Sequence, residues 1–453
     1  LTDPENCLSR IEWRGDFFAS ALDEIRDRLA PFPRIARPFR HTVTIFLAKA
    51  SEPRFDFDRV VRLRSYADLP DLSPATIGAW ILSGPRGKLQ IKHRGGRVDD
   101  RGPVQLVCGH GRMPSCELDG ECFAPASVRI ARRHHYAMTA GGAPAPRSEI
   151  SERHRVTLDE ERHLFRVRDG GTVSYLGEMG PRLEIKSPSA AAIGAVLATI
   201  NADETIRVIP YRGIELLFQS FLSDAIAAES RVKNRELELK FDVVGEIGAD
   251  TLQEVLANTP GAAFLLPFPH RIDRIRRYHV CRHASDATSE YTIVETPAGR
   301  LSQKRKRAGQ QLGGVILRDT DAMFTTDRDG RPCSVERFCA DNGLVVSGRF
   351  IKSQSKIPFR LRNGHAYLMS LDGCRDDAGR ELAQVELEYI GNVFAHSTPT
   401  AAIATELEGI GRTLRESAIG PHLMPSTMSK HAFFRRDDIG VSQDAAMAAD
   451  MNS

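Results

Sequence analysis

The sequence predicts an α+β protein built from two antiparallel closed β-barrels with flanking helices. Three observations lead there. Strand-like runs rich in β-branched residues outnumber helical ones, many of those runs alternate charged with apolar residues, and the order of elements starts again about halfway along. A chain of 453 residues is long enough for two domains that each bury a core.

The first cycle opens with β-rich runs at 41–48 (HTVTIFLA), 59–65 (RVVRLRS), 88–94, 128–138, 153–158 and 181–186. Ser187-Pro188 then starts a helix running to about 200, with serine as cap and proline at the first position. A second helical stretch over 214–232 leads to a new strand at 235–243, which places a domain boundary near 220–234. The second cycle continues with a helix at 249–258 and strands at 276–282, 291–295, 301–307, 343–353, 359–371 and 382–390. A helix over 398–416 closes it. The expected domains are therefore 8–220 and 233–433, followed by a polar, alanine-rich tail at 437–453 expected to be disordered.

Bulk properties narrow the function. A net charge of +3 gives no global pull toward nucleic acid or an anionic membrane, so any polyanion site must be built locally. Membrane spans need roughly 18 or more apolar residues, and the runs at 190–200 and 262–268 fall short. The charged start of the chain lacks an apolar export core, so a cytoplasmic location with reduced thiols is expected.

The strongest local signal is Glu236-Leu-Glu238-Leu-Lys240. Alternate residues of a strand share a face, so both carboxylates and the ammonium lie on one side and Leu237, Leu239 and Phe241 on the other. Glu386 and Glu388 repeat the two-carboxylate spacing, and the pairs Lys304/Lys306 and Arg360/Arg362 give doubly basic faces. One such strand ordinarily means a solvated face. Several in one domain point to a closed sheet with a charged interior, where lysine and arginine hold phosphate oxygens and carboxylates hold a hard cation such as Mg²⁺ or Mn²⁺.

On Glu236, Glu238 and Lys240, with Glu386, Glu388, Asp372 and the Ser429-Lys430 pair, residues 233–433 resemble the CYTH family of triphosphate-tunnel metalloenzymes. Residues 8–220 resemble the vacuolar transporter chaperone polyphosphate polymerase domain. That likeness rests on Glu12-Trp-Arg14, Arg62-Leu-Arg64, Gln90-Ile-Lys92, Arg133 with Tyr136, Arg155-Val-Thr-Leu-Asp159 and Leu183-Glu-Ile-Lys186. The resemblance implies metal-dependent phosphoryl transfer on triphosphate, ATP or inorganic polyphosphate. Glu236, Glu238, Asp372, Glu386, Glu388 and Glu184 would hold the metal. Lys240, Lys304, Lys306, Arg349 and Arg360 would act on the reacting phosphates, and Arg14, Arg62, Arg64, Lys92, Arg133, Arg155, Lys186, Arg362 and Lys430 would bind the rest of the chain. A binding protein that senses polyphosphate or nucleotide without turnover, and a CYTH-type adenylate cyclase, are the alternatives.

Other constellations carry less. Cys108, His110, Cys116 and Cys122 are zinc-type ligands in a spacing that fits no C-x-x-C knuckle. Gly84-Pro-Arg-Gly-Lys88 fails the phosphate-loop spacing and reads as a turn. The run Lys304–Arg307 lacks flanking aromatics for base stacking, so nucleic acid is not expected, and Arg305 and Arg307 should face outward. His134 and His135 are adjacent in a strand and should point apart.

Overall fold

The computed structural model describes residues 11–435 apart from 37–39, 51–58, 94–97, 108–112, 147–153, 169–170, 203–205, 208–211, 231, 233, 284, 308 and 326–333. Cys108, His110 and the 437–453 tail therefore lie outside the described residues. Two compact units emerge, the first essentially up to Phe221 and the second from Leu222 onward.

In the second unit, eight strands pair antiparallel around a ring. They are β9 (Arg235–Val243), β10 (Ile272–His283), β11 (Asp286–Glu295), β12 (Leu301–Lys306), β13 (Val315–Thr325), β14 (Leu344–Arg360), β15 (His365–Asp376) and β16 (Glu381–Asn392). The ring runs β9-β13-β12-β11-β10-β14-β15-β16 and returns to β9, where Glu236 sits opposite Arg318 on one side and Glu238 opposite Glu388 on the other. No edge of the ring is left unpaired, and this closure gives the sheet an inside and an outside.

Helix α5 (Thr400–Glu416) decides which face is outside. Its Ile403, Leu407, Ile410 and Leu414 recur at helical spacing and pack on Leu237, Leu239, Phe241, Val385 and Leu387. Gly411 allows the approach, because a Cβ there would stand 2.3 Å from Leu239 Cδ2. With the leucines committed outward, period-two alternation sends Glu236, Glu238 and Lys240 into the lumen.

The first unit departs from the expected fold. Its strands are β1 (Ile11–Phe17), β2 (His41–Lys49), β3 (Arg59–Ala67), β4 (Arg86–His93), β5 (Val98–Gln105), β6 (Glu121–Ala137), β7 (Arg155–Val167) and β8 (Arg182–Ser187). They pair in the order β1-β8-β7-β6-β2-β3-β4-β5, and among the described residues nothing joins β5 back to β1. The sheet is open, so the expectation of two closed barrels is corrected to one. The free edges explain this. The strand Ile206–Arg207 occupies the outer edge of β1. β5, which the sequence reading missed, carries Asp99, Asp100, Arg101 and Pro103, and charges and proline discourage further pairing. Helices α2 (Pro74–Leu82) and α3 (Ala190–Thr199) cover its apolar side, leaving the other side polar.

Candidate functional site

Antiparallel partners directly opposite one another point to the same face, so register alone defines the lining of the second unit's barrel. From β9 come Glu236, Glu238 and Lys240. β16 adds Glu386 and Glu388, β15 adds Ser370 and Asp372, and β14 adds Lys352, Gln354 and Lys356. Arg274 and Tyr278 of β10 lie opposite Gln354 and Phe350, while Lys304 and Lys306 of β12 lie opposite Thr292 and Glu290 of β11. Arg318 of β13 completes the set.

Two charge clusters result. In the first, Glu236 takes Lys304 on one oxygen and Lys306 on the other, the latter at 2.6 Å. Glu238 lies 3.1 Å from Lys240 and 3.5 Å from Arg318. In the second, Asp372 is fully buried and receives Lys352 and Lys430, each at 3.0 Å, and the Gln354 amide at 2.5 Å. Lys430 continues to Glu386 at 2.6 Å, and Lys240 bridges the clusters at 3.2 Å from Glu386. Arg274 donates to Gln354 at 2.6 Å and so steadies the amide that holds Asp372.

The protonation balance follows from these contacts. Burial would lift Glu236, yet Lys306 and Lys304 outweigh it and hold the carboxyl far below its usual range. Asp372 is likewise lifted by burial but pulled down to about 2 by Lys352 and Lys430. Glu386 sits well below its usual value because Lys240 and Lys430 overcome burial. Glu388 goes the other way: burial, then repulsion from Glu236, raises it. Lys356 is pushed down to about 7 by burial and Arg274, with Glu388 opposing. Glu388 is thus disfavoured as an anion, whereas Glu236, Asp372 and Glu386 are held ionised by the ammonium groups around them.

A hard cation would relieve the repulsion between Glu388 and Glu236. Oxygen donors from adjacent strands are the right type, and the register sets Glu238 directly opposite Glu388. The donor chemistry therefore fits Mg²⁺ or Mn²⁺. As the side chains stand, ammonium groups occupy the carboxylates, and among the described residues no three His, Cys, Asp or Glu side chains are gathered as a metal cage.

Of the residues named from sequence, the lumen collects Lys240, Lys304, Lys306, Glu236, Glu238, Asp372, Glu386, Glu388 and Lys430. Arg360 stands on the lumen face at the last pair of β14, opposite Ala366. Arg349 does not join them. It is offset by an odd number of residues from Lys352, so it leaves the outer face of β14, exposed and 3.7 Å from Glu336. Arg362 lies beyond the end of β14, its stem against Gly261. Arg305 and Arg307 face outward onto Asp286 and Asp321. Sequence reasoning missed Arg274, Lys352, Gln354, Lys356 and Arg318. The signal for three of them was available in the alternation K-S-Q-S-K over 352–356.

The first unit's polar face brings together the other named residues without a comparable carboxylate cluster. Arg14 donates to Glu184 at 3.0 Å, and Lys186 contacts Glu184 at 2.6 Å. Burial opposes ionisation of Glu184, but Arg14 and Lys186 keep it well below the usual range. Arg133 grips Asp159 with two bonds of 2.5 and 2.8 Å. Asp16 is buried between Arg162 at 2.8 Å and Arg182 at 2.7 Å. Arg62, Arg64 and Lys92 occupy the same face with no carboxylate ion pair among the described residues. Arg62 Nε is buried without a hydrogen bond, and burial with Arg64 and Arg14 nearby pushes its pKa down to about 10. Arg155 shares this face opposite Lys186. Elsewhere, His135 faces Thr157 while His134 turns to Glu160, so the two histidines diverge. Cys116 is buried and Cys122 exposed.

No family profile and no curated protein matches the chain. Among solved structures it is similar to a Hippeastrum protein named a putative adenylyl cyclase and described as having a dominant triphosphatase activity, at 18% identity over 44% of this chain and 94% of that one, with a TM-score of 0.29. It is also similar to the RNA triphosphatase domain of a mimivirus mRNA capping enzyme, at 10% identity over 44% and 97%, with a TM-score of 0.26. At these scores the likeness carries no argument. No helix of the described residues is long and apolar enough to cross a membrane.

Proposed function

We propose that the closed barrel of the second unit holds a triphosphate or polyphosphate and, with Mg²⁺ or Mn²⁺, carries out phosphoryl transfer on it. One observation carries the reading. Glu236, Glu238 and Glu388 meet Lys304, Lys306 and Arg318 inside a sheet with no free edge. A solvated outer face has no need of such charge, whereas a polyphosphate chain needs cations along its length and a metal at its reacting end.

In this reading Glu236, Glu238 and Glu388 would hold the metal, which would supply charge neutralisation at a phosphoryl oxygen. Lys304 and Lys306, which pair with Glu236, would then serve the phosphate oxygens. Lys352 and Lys430, anchored on Asp372, present further ammonium groups, and Arg360 meets the chain at the lumen's other end. Phosphoryl transfer passes through a loose transition state, so aligned cations supply most of the acceleration.

Incubation with tripolyphosphate, ATP or long-chain polyphosphate and Mn²⁺, with products resolved by chromatography, tests this. Orthophosphate marks hydrolysis, lengthened chains mark polymerisation, and cyclic nucleotide marks cyclisation. Absence of every product with all substrates would leave only binding, the alternative that the unpaired Arg62, Arg64 and Lys92 of the first unit favour for that unit.

A further inference from the structure

The cations of the barrel lumen divide by whether a carboxylate already holds them. Lys304 and Lys306 stand on Glu236, Lys240 between Glu238 and Glu386, and Lys352 and Lys430 on Asp372. Arg274 and Lys356 are different. Among the described residues neither forms an ion pair, although strand parity turns both inward. Arg274 lies opposite Gln354, and Lys356 lies opposite Ser370.

Arg274 is held in place by a neutral partner. Its Nε–H donates to Gln354 Oε1 at 2.6 Å, and Gln354 Nε2 donates to Asp372 Oδ1 at 2.5 Å. The buried carboxylate thus fixes the amide, and the amide fixes the guanidinium. The two terminal NH₂ groups of Arg274 keep no bonded partner among the described residues. That free fork matches two oxygens of one phosphate. Lys356 is half-buried and is depressed by burial and then by Arg274, so the two cations repel one another with no carboxylate bonded to either. Glu388 pulls Lys356 the other way, and the register explains why. Glu388 lies opposite Leu368, and Leu368 opposite Pro358, which is the next inward position along β14 and about 7 Å from Lys356 at strand rise.

A phosphate arriving at Lys304 or Lys352 must compete with a carboxylate for the ammonium, whereas at Arg274 no ion pair is given up. Resting on the reading above, we infer that Arg274 anchors the substrate without metal: its guanidinium takes two oxygens of one phosphate, Lys356 takes a third, and the chain is thereby set beside Glu388. The contact is ionic, and no covalent step passes through Arg274. The anchor governs how tightly the chain is held. The rate of the metal-dependent step is left to the carboxylates around Glu236.

Calorimetry of the intact protein with tripolyphosphate and a metal chelator tests this, once urea unfolding has shown each variant to be folded. Arg274→Gln is expected to weaken binding by about tenfold or more, the scale of losing hydrogen bonds to a charged group. Arg274→Lys keeps the charge and loses the fork, so it should fall between native and Arg274→Gln, and it carries the test if the glutamine variant does not fold. Gln354→Leu keeps the guanidinium and should weaken binding less than Arg274→Gln. With Mn²⁺, Arg274→Gln should raise KM by the factor lost in binding and hold kcat within about twofold. No metal-free binding by the native protein, or binding within about twofold of native in both Arg274 variants, would overturn the inference. An equal loss in Gln354→Leu would also overturn it, by reducing Arg274 to a prop for the amide. Each of these results leaves phosphoryl transfer intact. Absence of phosphate release from the native protein with Mn²⁺, while metal-free binding and its loss in Arg274→Gln persist, would overturn the functional reading and leave the anchor.

Discussion

Both units carry charged side chains on one face of an antiparallel sheet, yet the two faces behave differently. In the first unit each buried carboxylate is matched by arginine or lysine: Asp16 by Arg162 and Arg182, Asp159 by Arg133, Glu184 by Arg14 and Lys186. Cations are in surplus there, and Arg62, Arg64 and Lys92 are all pushed down in pKa by burial and by nearby guanidiniums: Arg64 and Arg14 for Arg62, Arg133 for Arg64, Arg14 and Arg62 for Lys92. In the second unit Glu388 stands apart from its neighbours, its carboxyl raised by burial and by Glu236 while Glu236, Glu386 and Asp372 are lowered. Glu236 of β9 and Glu388 of the adjacent β16 share one enclosed volume because the ring closes through the pairing of β9 with β13. An open sheet can bind an anion on its polar face, whereas a closed one also gathers carboxyls close enough that one of them, Glu388, is raised by another, Glu236.

The difference breaks most readily at the carboxylates. Replacing Glu236→Gln and Glu238→Gln together is expected to lower metal-dependent phosphate release by about 10²–10³, the scale of losing transition-state charge stabilisation. Glu184→Gln is expected to leave the rate within about twofold, since the open face is not asked to hold the reacting metal. Loss of release on Glu184→Gln alone would move the chemistry to the first unit.

Stability should show the converse pattern. Asp16→Asn strands Arg162 and Arg182, and breaking a buried pair of this kind costs about 3–5 kcal/mol, to be read from urea unfolding of the whole chain. Phosphate release per folded molecule should be unchanged.

Lys356→Met sharpens the account through pH. The amine sits at about 7 in the fold against about 10.4 unfolded, so the fold binds its proton less tightly than the unfolded chain. Its contribution to stability is whole above the unfolded value and is lost as pH falls through the folded one. Removing the amine should therefore stabilise the protein at pH 6 by about 1–3 kcal/mol and have little effect at pH 11, as judged by unfolding midpoints at the two pH values. Smallest of all, Arg349→Ala should change stability by no more than about 0.5 kcal/mol and leave release intact, because that guanidinium is on the outer surface.

How much of this was legible in the sequence depends on range. The Glu236–Lys240 face and the Lys304/Lys306 face follow from period-two alternation, a local property, and the register places both in the lumen. Arg349 was separable from Lys352 by parity alone, yet the expected strand ended at 353 and hid the K-S-Q-S-K row that fixes the inward face. Closure itself is not local. Whether β9 meets β13, or β5 returns to β1, depends on pairing between segments far apart in sequence. Asp99, Asp100 and Pro103 speak against pairing only once their segment is known to be an edge strand. The stacking of Phe350 between Tyr278 and Phe434 was illegible for the same reason, since the three meet only through the register of β10 with β14 and the return of the chain at 430–434.

Counting bound Mn²⁺ by electron paramagnetic resonance in the presence of tripolyphosphate tests the central claim most directly. The account predicts a tightly held ion with phosphorus hyperfine coupling in the native protein and in Glu184→Gln, and its loss in the Glu236→Gln, Glu238→Gln double variant. An ion retained by the double variant and lost on Glu184→Gln would contradict it.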